Sequence, residues 1–190
     1  MGKLAKKLAI AIQKNNPNLT EIEIKKIQFG LECFFSESSK IIIYFIVFYL
    51  LSLTSYFIIG VIFFAVLRAA AGGYHEDTYF RCLFSSFVIF AVIVYSGANL
   101  TLSLYYKLAI ELISILLVWI YAPVDHPNKP IISNDRRKSL KYISMFVFVL
   151  LAIIGLLIGG KLGNTAIMAL FLESITLPMG YYKNRRVSSK

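Results

Sequence analysis

The chain has 190 residues, of which 58% are apolar by type and only 16% charged, with a mean hydropathy of +0.71; too little polar surface remains to cover a water-exposed globule, so an ordinary soluble domain is excluded. Six membrane-crossing helices of roughly 20 residues take up about 120 residues, which leaves short loops and tails and makes 1–190 a single membrane domain. The formal charge of +10 would suggest nucleic-acid binding in a soluble chain, but Lys and Arg collect in the cytoplasmic loops of membrane proteins, and no nucleic-acid partner is expected.

In chain order, residues 3–14 put Leu4, Leu8 and Ile12 on one stripe and Lys3, Lys7 and Lys14 away from it, the pattern of a short amphipathic helix on the anionic inner leaflet. Asn15-Asn16-Pro17-Asn18 ends it, and Thr20 with Glu23 forms a capping box for the next helix. That helix spans about 26–52, with Glu32, Glu37 and Lys40 near the interface, where charged side chains snorkel into water. The uncharged run 41–67 is read as the ends of two helices joined by a turn at Ser52-Leu53-Thr54-Ser55. Further spans follow at about 55–71, 78–97, 100–122, 139–160 and 162–182. Lys107 and Glu111 stand one turn apart in the fourth span and are expected to neutralise one another. Glu173 in the sixth has no partner nearby in sequence, which makes it a functional suspect.

Charge decides between six spans and five. With both termini in the cytoplasm, six spans put every Lys and Arg on that side except Lys107 and Lys161. If 41–67 crossed as one helix, the basic loop 125–141 would face outward, against the positive-inside rule. The expected fold is therefore an all-α integral membrane protein with six transmembrane helices behind an interfacial one.

The chemistry-bearing segment is Arg68-Ala-Ala-Ala-Gly72-Gly73-Tyr74-His75-Glu76-Asp77-Thr78-Tyr79-Phe80-Arg81-Cys82, between the second and third spans. Gly72-Gly73 breaks the helix, and Asp77 or Thr78 can cap the next. On one unbroken helix His75 and Cys82 would stand roughly 10 Å apart along the axis, too far for proton transfer. With His75 in the loop, it can fold back over the first turns of the third span and take the thiol proton. The imidazolium, the positive helix end and Arg81 favour thiolate, whereas burial opposes it. Glu76, Asp77 or Asp125 can orient the imidazole. The competing readings are an interfacial His anchor and a packed Cys. The residues match no zinc spacing, so no metal or cofactor is expected; Cys33 is read as a packing residue.

The stretch from Arg68 to Cys82, with its Arg, Gly-Gly, Tyr-His and a Cys seven residues after the His, resembles the signature of the accessory gene regulator B (AgrB) family of membrane peptidases. Gln28-Phe29-Gly30-Leu31-Glu32 resembles that family's motif at the first span, and Tyr121-Ala122-Pro123-Val124 with Lys129-Pro130-Ile131 its loop after the fourth. The resemblance implies a bacterial cell-membrane cysteine endopeptidase whose partner is a precursor peptide of the AgrD type. Cys82 would be the nucleophile and His75 its base, with the active site on the cytoplasmic side. The tail of the precursor would leave, the signal segment would remain on Cys82 as a thioester, and ring closure would give a thiolactone or lactone for quorum sensing.

Arg68, Gly72, Gly73, Glu32 and Glu173 are the expected precursor contacts, with Arg68 holding a precursor carboxylate or the oxyanion, or else serving as a positive-inside anchor, and Glu173 open also to a role in export; a homodimer is a further expected partner. Arg136-Arg137-Lys138 is read chiefly as a topology determinant and secondarily as an attractor for an acidic tail. The main alternative is a non-enzymatic transporter using Lys107, Glu111 and Glu173; a metal-dependent membrane hydrolase ranks below it.

Overall fold

A computed structural model describes residues 2–16, 18–74, 76, 78–125, 131 and 133–188. His75, Asp77, Pro17, Lys129 and Pro130 lie outside the described residues, as do the side chains of Lys3 and Arg186. The described chain is all-helical: α1 (Gly2–Asn15), α2 (Glu21–Leu50), α3 (Thr54–Ala71), α4 (Tyr79–Asn99), α5 (Leu104–Tyr121), α6 (Asn134–Ile158) and α7 (Gly160–Ser188). Six of these, α2 to α7, are long and apolar enough to cross a membrane. The helix break expected near Ser52 is present, α2 ending at Leu50 and α3 starting at Thr54, with Ser52 at φ 58° in the turn.

By internal contacts the chain forms two compact units, Met1–Leu50 and Leu51–Lys190. In the first, α1 packs on α2. Its buried stripe is Ala5 and Ala9, while Leu4, Leu8 and Ile12 are exposed; small side chains let the two helix backbones approach, and the larger apolar stripe faces outward. The capping box forms: the Glu23 carboxylate accepts from the Thr20 N–H (2.9 Å), and the Glu23 N–H donates to Thr20 Oγ1 (3.3 Å). Two expectations fail in α2. Lys40 is buried and paired with Glu37 one turn away instead of snorkelling, because a carboxylate within reach replaces water as its partner. Cys33 is exposed, so it is not a core packing residue.

The second unit is built around α7, which packs against α3, α4, α5 and α6. Of its span 61% is buried, against 17% for that of α5. Lipid tails are as apolar as leucine, so helices in a bilayer gain little by hiding large apolar side chains and associate through close packing and polar contacts. The pattern here follows that rule. Ile58, Ile62, Leu112 and Leu116 point outward, while Asn164, Thr165, Glu173, Ser174 and Thr176 of α7 are buried. Glycines admit the close approaches: a Cβ on Gly60 of α3 would lie 3.0 Å from Ile93 of α4, and one on Gly97 of α4 would overlap Thr165. Buried hydroxyls are satisfied within their own helices, as where Ser144 Oγ donates to the Leu140 carbonyl (2.7 Å).

The ends of the unit are distinct. At one, Asn164 Nδ2 donates to the Leu100 carbonyl (2.7 Å), tying α7 to the α4–α5 loop. At the other meet the end of α3, the start of α6, the end of α7 and the loop after α5, with Asp125 at their junction. Its carboxylate accepts from Arg137 (2.6 Å), and its carbonyl from Asn184 Nδ2.

Candidate functional site

The last turn of α3 closes when the Gly72 N–H donates to the Arg68 carbonyl (2.9 Å). The chain then leaves the helix through two glycines of positive φ, 78° at Gly72 and 155° at Gly73, a region that side chains disfavour. Space imposes the same choice. The Val124 N–H donates to the Ala71 carbonyl (2.8 Å), so the loop after α5 runs beside Gly72 as a single parallel bridge. A Cβ on Gly72 would overlap the Val124 carbonyl oxygen. One on Gly73 would lie 2.6 Å from Arg68 Nη1, 2.8 Å from Glu173 Oε1 and 2.8 Å from Thr176 Oγ1. From the far side Gly180 of α7 closes the frame: a Cβ there would sit 3.0 Å from the Gly73 carbonyl carbon and oxygen.

An ion pair crosses the frame. Arg68 Nη1 donates to Glu173 Oε2 (3.1 Å) and, less closely, to Oε1 (3.3 Å). Arg68 Nη2 donates to the Tyr74 carbonyl. Thr176 Oγ1 completes the set with a 3.1 Å hydrogen bond to Glu173 Oε2. Glu173 is fully buried, while the Arg68 side chain keeps 23% of its exposure. Removing a carboxylate from water is expensive unless a cation and hydrogen-bond donors meet it, and here both do. The expectation that Glu173 lacks a partner nearby in sequence stands; its partner is 105 residues away.

Beyond the frame, Tyr74 Oη donates to Glu76 (2.9 Å), and its ring lies 5.0 Å from the Lys183 ammonium. The chain enters α4 through Thr78, whose carbonyl accepts from the Cys82 N–H (3.0 Å). Of the two expected caps, Thr78 holds the N-cap position without a side-chain cap bond, and Asp77 lies outside the described residues. Cys82 is half-buried in the first turn of α4, its Sγ 4.0 Å from Ser86 Oγ. His75, the other half of the expected dyad, lies outside the described residues.

The remaining residues singled out from sequence make the following contacts. Glu32 accepts from Gln28 Nε2 (2.9 Å) within α2. Asp125 spends one carboxylate oxygen on Arg137 and the Ile131 N–H, and the other is buried without a partner. The expected Lys107–Glu111 pair does not form: both Glu111 oxygens are buried without a hydrogen-bond partner. Lys107 sits in the first turn of α5, where its long stem reaches the helix end more readily than the interior. Sequence reasoning missed Thr176, Gly180 and Asn184. Their signal was present, because 173, 176, 180 and 184 fall at helical spacing on one face of α7.

The model of the family described as accessory gene regulator B matches residues 5–177. The chain belongs to the accessory gene regulator B family. Its curated AgrB relatives include the accessory gene regulator protein B of Staphylococcus aureus, 29% identical over 89% of each chain. A putative AgrB-like protein of Clostridium beijerinckii is 27% identical over 90% of this chain and 85% of its own. Another, from Clostridium acetobutylicum, is 32% identical over 97% and 91%. No solved structure matches. AgrB membership and the six apolar helices make this a multi-pass membrane protein and support a role in agr quorum sensing, where the family works with the AgrD precursor.

Proposed function

We propose that the chain is a membrane-embedded cysteine endopeptidase that removes the C-terminal tail of an AgrD-like precursor and promotes cyclisation of what remains. His75 takes the Cys82 proton as the sulfur attacks the carbonyl carbon before the tail. The S–C bond forms, the C–N bond breaks, and the proton passes from His75 to the departing amine. A thiol or hydroxyl within the peptide then attacks the thioester, Cys82 leaves and regains a proton, and a thiolactone or lactone ring closes. Excluding water protects the thioester from hydrolysis, which suits a site at the membrane.

The observation that carries the reading is the framed glycine turn. Val124, Arg68, Glu173 and Gly180 enclose Gly72-Gly73, and nine residues later Cys82 stands half-buried at the start of α4. Gly72, Gly73 and Arg68 are the groups assigned to the precursor backbone and carboxylate. The cytoplasmic placement of the site rests on charge: Arg68, Arg81, Arg137, Lys138, Lys141, Lys183 and Arg185 cluster toward the same end of the unit as Gly72, and Lys107 and Lys161 toward the other.

Cys82→Ala and His75→Ala should each abolish precursor cleavage while the protein still inserts, read by mass spectrometry of the released tail. Normal cleavage by Cys82→Ala would refute the mechanism. Cys82→Ser is expected to retain traces at most, an ester being a poorer acyl donor.

A further inference from the structure

Glu173 is costly where it stands. It is fully buried in the central helix, and both oxygens are engaged, with Arg68 and Thr176. Buried ion pairs of this kind add little stability over apolar replacements, and ionisable groups inside a membrane usually serve function. Both Glu173 oxygens already have partners within the protein, and none of the side chain is exposed. What the carboxylate does reach, through the guanidinium, is the backbone: Arg68 divides its two Nη groups between Glu173 and the Tyr74 carbonyl. Charge-assisted bonds and the planar guanidinium make this a stiff relay. The Tyr74 carbonyl belongs to the planar peptide unit that continues to residue 75, so holding it sets the direction in which the chain leaves the frame.

We propose that Glu173 is a positioning residue: through Arg68 it fixes the Gly73–Tyr74 segment, and thereby sets how the following loop presents His75 to Cys82. The proposal rests on the cysteine-peptidase reading above, and it gives Glu173 an internal role in place of the precursor contact expected from sequence.

The test is alkylation of Cys82 by iodoacetamide, carried out on the Cys33→Ser background because Cys33 is exposed and would also react. Removing the base in His75→Ala should slow alkylation about tenfold or more. Glu173→Leu should fall to the same rate, and His75→Ala with Glu173→Leu should be no slower than either alone. A merely structural role would lower the yield of inserted protein without this non-additivity. Glu173→Gln keeps acceptors for Arg68 and Thr176 and should recover most of the rate. A parent rate in Glu173→Leu beside a slow His75→Ala overturns the positioning role alone, as does an additive double variant or a faster rate. An unchanged rate in His75→Ala overturns the dyad itself. Where Glu173→Leu fails to insert, Glu173→Asp decides: its shorter side chain keeps the charge but withdraws the carboxylate from Arg68, so alkylation should slow, and a parent rate overturns the proposal.

Discussion

Gly73 is the residue whose replacement should be least tolerated. Its φ of 155° and the 2.6–2.8 Å approaches that a Cβ would make to Arg68, Glu173 and Thr176 leave nothing flexible to yield without breaking the ion pair. Gly73→Ala is expected to cost about 1–3 kcal/mol in thermal unfolding, from overpacking, and to lower precursor cleavage by roughly 100-fold, the loss that a misplacement near 1 Å brings. The sequence announced this turn, because two adjacent glycines after an apolar helix have few other uses. It did not announce the pair: Arg68 and Glu173 sit on different helices, and nothing local links them. Each stands out in the sequence as a charge at or within an apolar segment, and neither points to the other as its partner.

At the scale of the helix, α5 and α7 show how the same residue type diverges. Glu173 is met by a cation and a hydroxyl, whereas Glu111 is buried with both oxygens unpartnered. Adjacency one turn apart suggested Lys107 as its partner, but spacing along a helix does not say whether a long side chain runs inward or toward the helix end. If Glu111 takes no part in catalysis, Glu111→Leu removes an unpartnered buried polar group. The variant should then gain about 1–3 kcal/mol in a thermal-unfolding assay in detergent, with precursor cleavage retained. A transporter routed through Glu111 requires the opposite, loss of function with the carboxylate. Span existence was legible throughout because lipid demands long apolar helices. Helix starts were less so: α6 begins at Asn134, earlier than the expected 139, because Ser133 caps it by accepting from the Arg136 N–H (3.4 Å) and adds a charged turn above the apolar core.

At the scale of the molecule, six helices are long and apolar enough to cross a membrane, and the alternating path proposed for them rests on the distribution of basic residues. The resulting orientation is checked with a membrane-impermeant maleimide on intact cells carrying single cysteines in a Cys33→Ser, Cys82→Ala background. Lys161→Cys should react from outside, and Lys138→Cys only after permeabilisation. Labelling in the reverse order would turn the glycine frame to the outer face. The arrangement also has a consequence for synthesis. The frame around Gly73 draws Arg68 and Val124 from earlier parts of the chain, but Glu173, Thr176 and Gly180 come from α7, which is synthesised after all six of the helices described before it. A nascent chain therefore carries its thiol into the membrane long before the turn beside it is closed, and a chain interrupted ahead of α7 would hold every preceding span yet no finished frame.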